Sequence, residues 1–295
     1  MAHSATEFNP RLVANDILEE PDILLTPIDG YQNVPLMSIE DAVKPLLPTV
    51  STMKTLAWIA KQNAKKMTQT QLSQDEAAAI HLYTMETLVY PLLNSKLRER
   101  DREQLKPWFA YLKLLLTALF KLPLSTNKIL WRGVKLDLSK KYKIGEEYVW
   151  WSFTSCTTAM KVLDSDLYLG KNGVRTLFAI ECINGRSIVD YSYFKQEDEI
   201  LLLPGTYFQV VDYLSPNSTN DLHIIQLRQI EPPVNFLQPP FNVTQEQQPT
   251  TMQHVPMASS NDMIVFTSSL QQMSLNNQQS STTSIGSAPS SLSIK

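Results

Sequence analysis

Cysteine is scarce in this chain: Cys156 and Cys182 are the only two in 295 residues. Two thiols make no disulfide framework, show no metal-site spacing and fit a reducing compartment. Glycine is also short, with eight in the whole sequence. No G-x-x-x-x-G-K-[ST] loop and no G-x-G-x-x-G turn is present, which excludes those two routes to nucleotide binding. The four histidines, His3, His81, His223 and His254, have no spaced Cys, Asp or His partner, so no metal is expected. No serine stands in a nucleophile-elbow context, which argues against a Ser-His-Asp hydrolase. The chain lacks an apolar run of membrane-spanning length, and Met1 to Phe8 lacks a positive region followed by an apolar core. A cytoplasmic location, no membrane and a monomer are the expectations. The net charge is -3 and no long Lys/Arg run occurs, so nucleic acid is not an expected partner.

What is present is enough apolar material for a sizeable core, at 43% hydrophobic residues. It is unevenly spread. From about Asn235 the sequence is dominated by Gln, Ser, Thr, Asn and Pro, with Glu246, Asp262 and Lys295 as its only charges. Such a composition buries too little to offset the entropy of ordering it, and a disordered tail over 234–295 is expected. Met263 to Phe266 is its one short apolar patch, read as a docking motif or as chance. Asn217 and Asn242 lie in N-x-[ST] patterns that matter only in a secreted chain.

Before the tail, residues 1–37 read as an N-terminal extension, 38–122 as helical and 123–233 as strand-rich. Ser73 and Glu76 form a capping box opening a helix with Ala77, Ile80, Thr84 and Leu88 on one side. Pro107 suits a first helical position, and Trp108, Tyr111, Leu112, Leu115 and Leu119 recur at helical steps until Pro123. The period then falls toward two, predicting strands over Lys128 to Leu136, Val174 to Ile183, Arg186 to Asp190, Glu199 to Leu203, Thr206 to Leu214 and His223 to Ile230. Helices first and strands second indicate an α+β fold, with a helical layer packed on a two-layered, mainly antiparallel sheet body.

Three segments carry candidate chemistry. Leu130-Trp131-Arg132-Gly133 sets an arginine in an apolar strand, where a charge needs a partner. Trp150 to Thr157 is a hydroxyl-dense run behind two tryptophans. Glu197-Asp198-Glu199 precedes four aliphatic residues and Pro204-Gly205, so a loop delivers carboxylates to the mouth of a strand. Each has a plain alternative: an arginine paired at a sheet edge, a turn, a solvated acidic loop.

Taken together, in this order, the three resemble the arginine-specific ADP-ribosyltransferase family, which carries an Arg on its first core strand, an aromatic-x-Ser-x-Ser/Thr motif on a second and a Glu-x-Glu motif at the head of a later one. Here these fall on Arg132, on Phe153 to Thr157, and on Glu197 to Glu199. The likeness covers roughly Ile39 to Glu231, giving a catalytic domain over 38–233, and Thr157 stands where serine is commoner. It implies NAD as co-substrate in a cleft of the sheet body, with Arg132 and the adjacent Gly133 at the pyrophosphate. Ser155 would hydrogen-bond near the nicotinamide ribose and steady Glu199, Thr157 would support the strand geometry of the NAD site, Glu199 would stabilise the cation formed as nicotinamide departs, and Glu197 would select a protein arginine as acceptor. Asp198 should point away. The readings kept open beside transfer are NAD hydrolysis and a silent NAD-binding module. Lys161, Lys171 and Arg175 are candidates for a phosphate contact, and Tyr191, Tyr193 and Phe194 either guide the target or pack the loop.

Overall fold

The Ser73 hydroxyl accepts from the Glu76 amide and the Glu76 carboxylate accepts from the Ser73 amide, the reciprocal cap expected from the sequence. The computed structural model describes residues 9–241 other than 13–14, 69–70, 167, 196 and 216–220. Asn217, Asn242, Met263 to Phe266 and the tail beyond 241 lie outside the described residues. The helical part comprises α1 (Ile39–Ala42), α2 (Met53–Ala64), α3 (Gln74–Thr84), α4 (Val89–Arg98) and α5 (Phe109–Lys121). Helix α3 ends at Thr84, so Leu88 falls beyond it and is exposed, whereas Ala77, Ile80 and Thr84 are buried. Pro107 sits inside a 3-10 turn, Arg102–Trp108, and the α-helix proper starts two residues later.

The strands are β1 (Ile129–Val134), β2 (Glu147–Trp150), β3 (Thr154–Thr157), then after the short α6 (Met160–Leu163) β4 (Arg175–Glu181), β5 (Arg186–Ser187), β6 (Glu199–Leu202), β7 (Thr206–Leu214) and β8 (Leu222–Gln229). They form one sheet in the order β2-β7-β8-β4-β1-β3-β6-β5, antiparallel throughout except for β4 beside β8. Strand β2 is not among the strands that periodicity predicts. Gly145 marks a turn before it, but its four residues run directly into Trp151 and Ser152 with no turn signal after them.

Two cores flank the sheet. Alternation along β6 shows how: Leu201 and Leu203 join the helices with Trp151 and Phe153, while Ile200 and Leu202 join Trp150, Phe178, Phe208 and Leu227. The second core therefore draws on strands from both halves of the sheet, giving the two-layered body. The halves meet at β1 and β3, which share a single paired position, Trp131 opposite Thr157. The ladder is thinnest there, and a side chain from either strand can reach into the junction.

Residues set apart as an N-terminal extension are packed on this body. Ile28 bridges to Leu237, Leu25, Ile28 and Tyr31 enter the helical core, and Ile17 enters the second. Phe236, from the stretch assigned to the tail by composition, is buried against Trp151 and Tyr207. Glu20 is the polar anchor: its carboxylate accepts from the amides of Trp151 and Ser152 and from the Ser152 hydroxyl. Burial nevertheless pushes its carboxyl up from 4.5 to about 7, against the pull of those bonds and of Arg98. A raised carboxyl binds its proton more tightly in the folded state, so this contribution is full below 4.5 and is lost as pH rises through about 7. The stability lost across that window is on the order of 3 kcal/mol. Thermal midpoints at pH 5 and pH 7.5 check this, and Glu20→Gln is expected to flatten the difference.

Candidate active site

Arg132 lies in the middle of β1, almost fully buried, with its guanidinium turned across the junction. Its Nη1 donates to the Ser155 carbonyl at 2.8 Å and to the Arg11 carbonyl at 2.9 Å. One cation thus ties the backbone of β3 to the N-terminal segment. Gly133 has a packing reason to be glycine: a Cβ there would meet the Leu169 side chain at 2.9 Å. Leu169 consequently lies close over β1.

Glu199 opens β6, opposite Thr157 on β3, and is fully buried. Its Oε2 accepts from Arg11 Nη2 at 2.7 Å and from the Ser192 hydroxyl at 3.0 Å, while Oε1 accepts from Arg11 Nε at 3.2 Å and Nη2 at 3.0 Å. Arg11 is thereby held in a forked, two-oxygen pairing. Thr84, at the end of α3, accepts from the third guanidinium nitrogen through its carbonyl. The rings of Phe194, Tyr83 and Tyr90 stand 5.4, 5.9 and 5.9 Å from the guanidinium carbon. This is a planar-cation site with an anionic floor and aromatic walls.

Glu197 is also buried, although Asp198 between the two glutamates is exposed. Glu197 precedes β6, and Asp198 between the two glutamates adopts φ 44°, a left-handed kink at the head of the strand. The kink is anchored by Thr157, whose hydroxyl donates to the Glu197 carbonyl at 2.7 Å and accepts from the Ala159 amide. Thr157 therefore shapes the loop and does not contact Glu199 through its hydroxyl. The Glu197 carboxylate accepts from the Tyr168 hydroxyl, which itself accepts from the Asn9 amide. Burial raises the Glu197 carboxyl above its ordinary value, opposed by Tyr168 and the Asn9 side chain.

Ser155 is buried beside Arg132, and its hydroxyl has no hydrogen-bond partner among the described residues. A buried hydroxyl without a partner is costly unless a ligand supplies one. The serine that steadies Glu199 is Ser192, seven residues upstream of it and outside the three motif segments. Arg11, Tyr168 and Asn9 also lie outside them, and no local signal in the sequence marks any of the four. Of the flanking aromatics, Tyr191 and Phe194 are buried and Tyr193 packs its ring 5.8 Å from His81. Trp150 and Trp151 are both core, one in each cluster. Among the basic candidates, Arg175 is buried at the start of β4 and donates to the Gly173 carbonyl, while Lys161 and Lys171 are exposed.

His81 has a structural place. Its Nδ1 lies 3.1 Å from the Tyr191 carbonyl and its Nε2 3.2 Å from the Asn63 side-chain nitrogen, a pattern that suits a neutral ring with its proton on Nδ1. Burial lowers its pKa accordingly. His223, on β8, lies 2.8 Å from the Tyr213 hydroxyl of β7 and 3.5 Å from Asp137 in the loop after β1.

The sequence model of a family described as NAD:arginine ADP-ribosyltransferase matches residues 32–232. A Mycobacterium avium (strain 104) protein provisionally named NAD(+)–arginine ADP-ribosyltransferase Mav is 33% identical over 142 residues, which is 48% of this chain and 16% of that protein. The chain thus spans a small part of that relative's length. Among solved structures, the type III effector XopAI of Xanthomonas axonopodis pv. citri is similar with a TM-score of 0.52 at 17% identity, covering 69% of this chain and 92% of that one. The eukaryotic mono-ADP-ribosyltransferase ART2.2 is similar with a TM-score of 0.51 at 17% identity, covering 72% and 98%. At that identity the two structures show a shared fold.

Proposed function

The chain belongs to the NAD:arginine ADP-ribosyltransferase family, and from that premise we propose that it transfers ADP-ribose from NAD to arginine side chains of proteins, releasing nicotinamide. The observation that carries the reading is the pair of buried carboxylates, Glu197 and Glu199, brought to the junction that Arg132 and Ser155 also face. No part of the proposed chemistry calls for a metal.

The residues fit NAD on their own chemistry. Arg132 offers a planar, permanently charged donor for a pyrophosphate, which a lysine would not reproduce. The Ser155 hydroxyl lacks a partner that a ribose or amide group can supply. The aromatic walls and the Glu199 carboxylate already accommodate a flat cation, which is the character of a pyridinium ring. In the reaction the bond between nicotinamide and ribose breaks with its electron pair going to the ring, and positive charge grows on the sugar. Glu199, fixed by Ser192, places negative charge where that cation forms, the stabilisation used by carboxylates in glycosidases.

Glu197 has a separate task. It takes the proton from an acceptor guanidinium as its nitrogen bonds to the sugar, and burial that raises its pKa makes it a stronger base for this purpose. The Thr157 bond to its carbonyl positions it. Incubation with labelled NAD and polyarginine tests the reading: label is expected on the polymer, and label recovered only as free ADP-ribose would replace transfer by hydrolysis.

A further inference from the structure

Four residues at the start of the described chain engage all three charged groups to which the proposed chemistry assigns a role. The Pro10–Leu12 turn follows Asn9, whose side-chain oxygen accepts from the Arg11 amide at 3.1 Å and whose carbonyl accepts from the Leu12 amide. The Arg11 guanidinium forms the forked pair with Glu199 and its carbonyl takes the Arg132 donor. The Asn9 amide binds the hydroxyl of Tyr168, which in turn holds Glu197. Asn9 and Leu12 are fully buried and Arg11 nearly so.

From this we propose that residues 9–12 are an intramolecular competitor of NAD, with Arg11 standing in for the flat cation of the nicotinamide end and its carbonyl occupying the arginine assigned to the pyrophosphate. The proposal rests on the reading of the site given above. Glu199 cannot hold the Arg11 fork and serve a ribose in the same place, and Arg132 Nη1 cannot serve both the Arg11 carbonyl and a phosphate. NAD therefore binds only the fraction of molecules in which the turn has left the junction. A buried ion pair exchanged for another cation in the same aromatic cage loses little on exchange, which suits a plug that a substrate can displace.

The affinity observed for a site open only part of the time is reduced by that fraction. With the junction open in about 1–10% of molecules, Arg11→Ala lowers the KM for NAD about 10- to 100-fold. The value of kcat changes within about threefold, because the turn is absent once NAD is seated. Arg11→Lys, which keeps the charge and loses the fork, falls between the two. A structural role for Arg11 predicts the opposite pattern, with an unchanged or higher KM.

Nicotinamide release measured against NAD concentration reads these parameters in wild type and both variants. A second measurement covers the case in which Arg11→Ala does not fold. Hydrogen exchange of the wild-type chain is followed with and without a non-cleavable carbocyclic analogue of NAD. The amides of Arg11 and Leu12 are expected to exchange faster with the analogue bound while the Glu199 strand is protected; unchanged protection at 11 and 12 overturns the proposal. Wild type that turns over NAD, with an Arg11→Ala variant of unchanged KM, overturns the plug alone. Absence of turnover and of analogue binding in both proteins overturns the plug together with the proposed function.

Discussion

Replacing Glu199 by glutamine is expected to slow nicotinamide release about 100- to 1000-fold, the usual loss when one preorganised group facing transition-state charge is removed. Glutamine keeps the size and one acceptor oxygen but not the negative charge, so the loss reports electrostatics and not packing. The same change alters folding energetics in a way the structure defines. Arg11 would lose its anion while buried, and breaking one side of such a pair typically costs about 3–5 kcal/mol. The chain avoids that cost when the 9–12 turn leaves the junction, so Glu199→Gln should remain folded with a lowered thermal midpoint. Arg11→Ala combined with Glu199→Gln should recover part of that midpoint and none of the rate. Recovery of turnover in the double variant would show that Glu199 acts only by holding Arg11. Turnover unchanged in the single variant would sink both the transfer and the hydrolysis readings.

Replacing Glu197 by alanine is expected to separate the two halves of the reaction. Transfer to polyarginine should fall about 100- to 10000-fold, the range for removing a positioned general base. Hydrolysis of NAD should persist, since Glu199, Ser192 and Arg132 are untouched. The pH dependence carries a sign as well. Burial raises the Glu197 carboxyl, and the base acts only when deprotonated, so wild-type transfer should climb with pH across a range displaced upward from that of an ordinary glutamate. Hydrolysis should lack that limb. Equal loss of both activities in Glu197→Ala would instead place Glu197 in glycosidic cleavage.

The periodicity, the caps and the motifs belong to local chain chemistry and are legible in order. Ser73 with Glu76 caps its helix as expected because a capping box is complete within four residues. Strands β4, β6, β7 and β8 follow their period-two patterns, since alternate residues of each, such as Phe178 and Ile180 or Ile225 and Leu227, enter the second core. Arg132, Ser155, Glu197 and Glu199 stand out because a charge or hydroxyl cluster beside an apolar strand is unusual wherever the strand goes. Strand β2 offers no such contrast, running straight into a stretch of similar composition.

The sequence by itself determined the α+β order, the helix ends marked by caps and the identity of the carboxylates that meet at the site. Only the tertiary structure decided what those carboxylates touch. Ser192 and not Ser155 holds Glu199, because the turn after Ile188 folds back on the strand. Tyr168 reaches Glu197 from a loop packed over Gly133. Arg11 meets Glu199 from 188 residues away. Composition marks the first 37 residues as an extension, since partners so distant in the chain leave no periodic trace in it. The burial of Arg11 is a property of the sheet junction, where a ladder reduced to one pair leaves room for a charged side chain to enter.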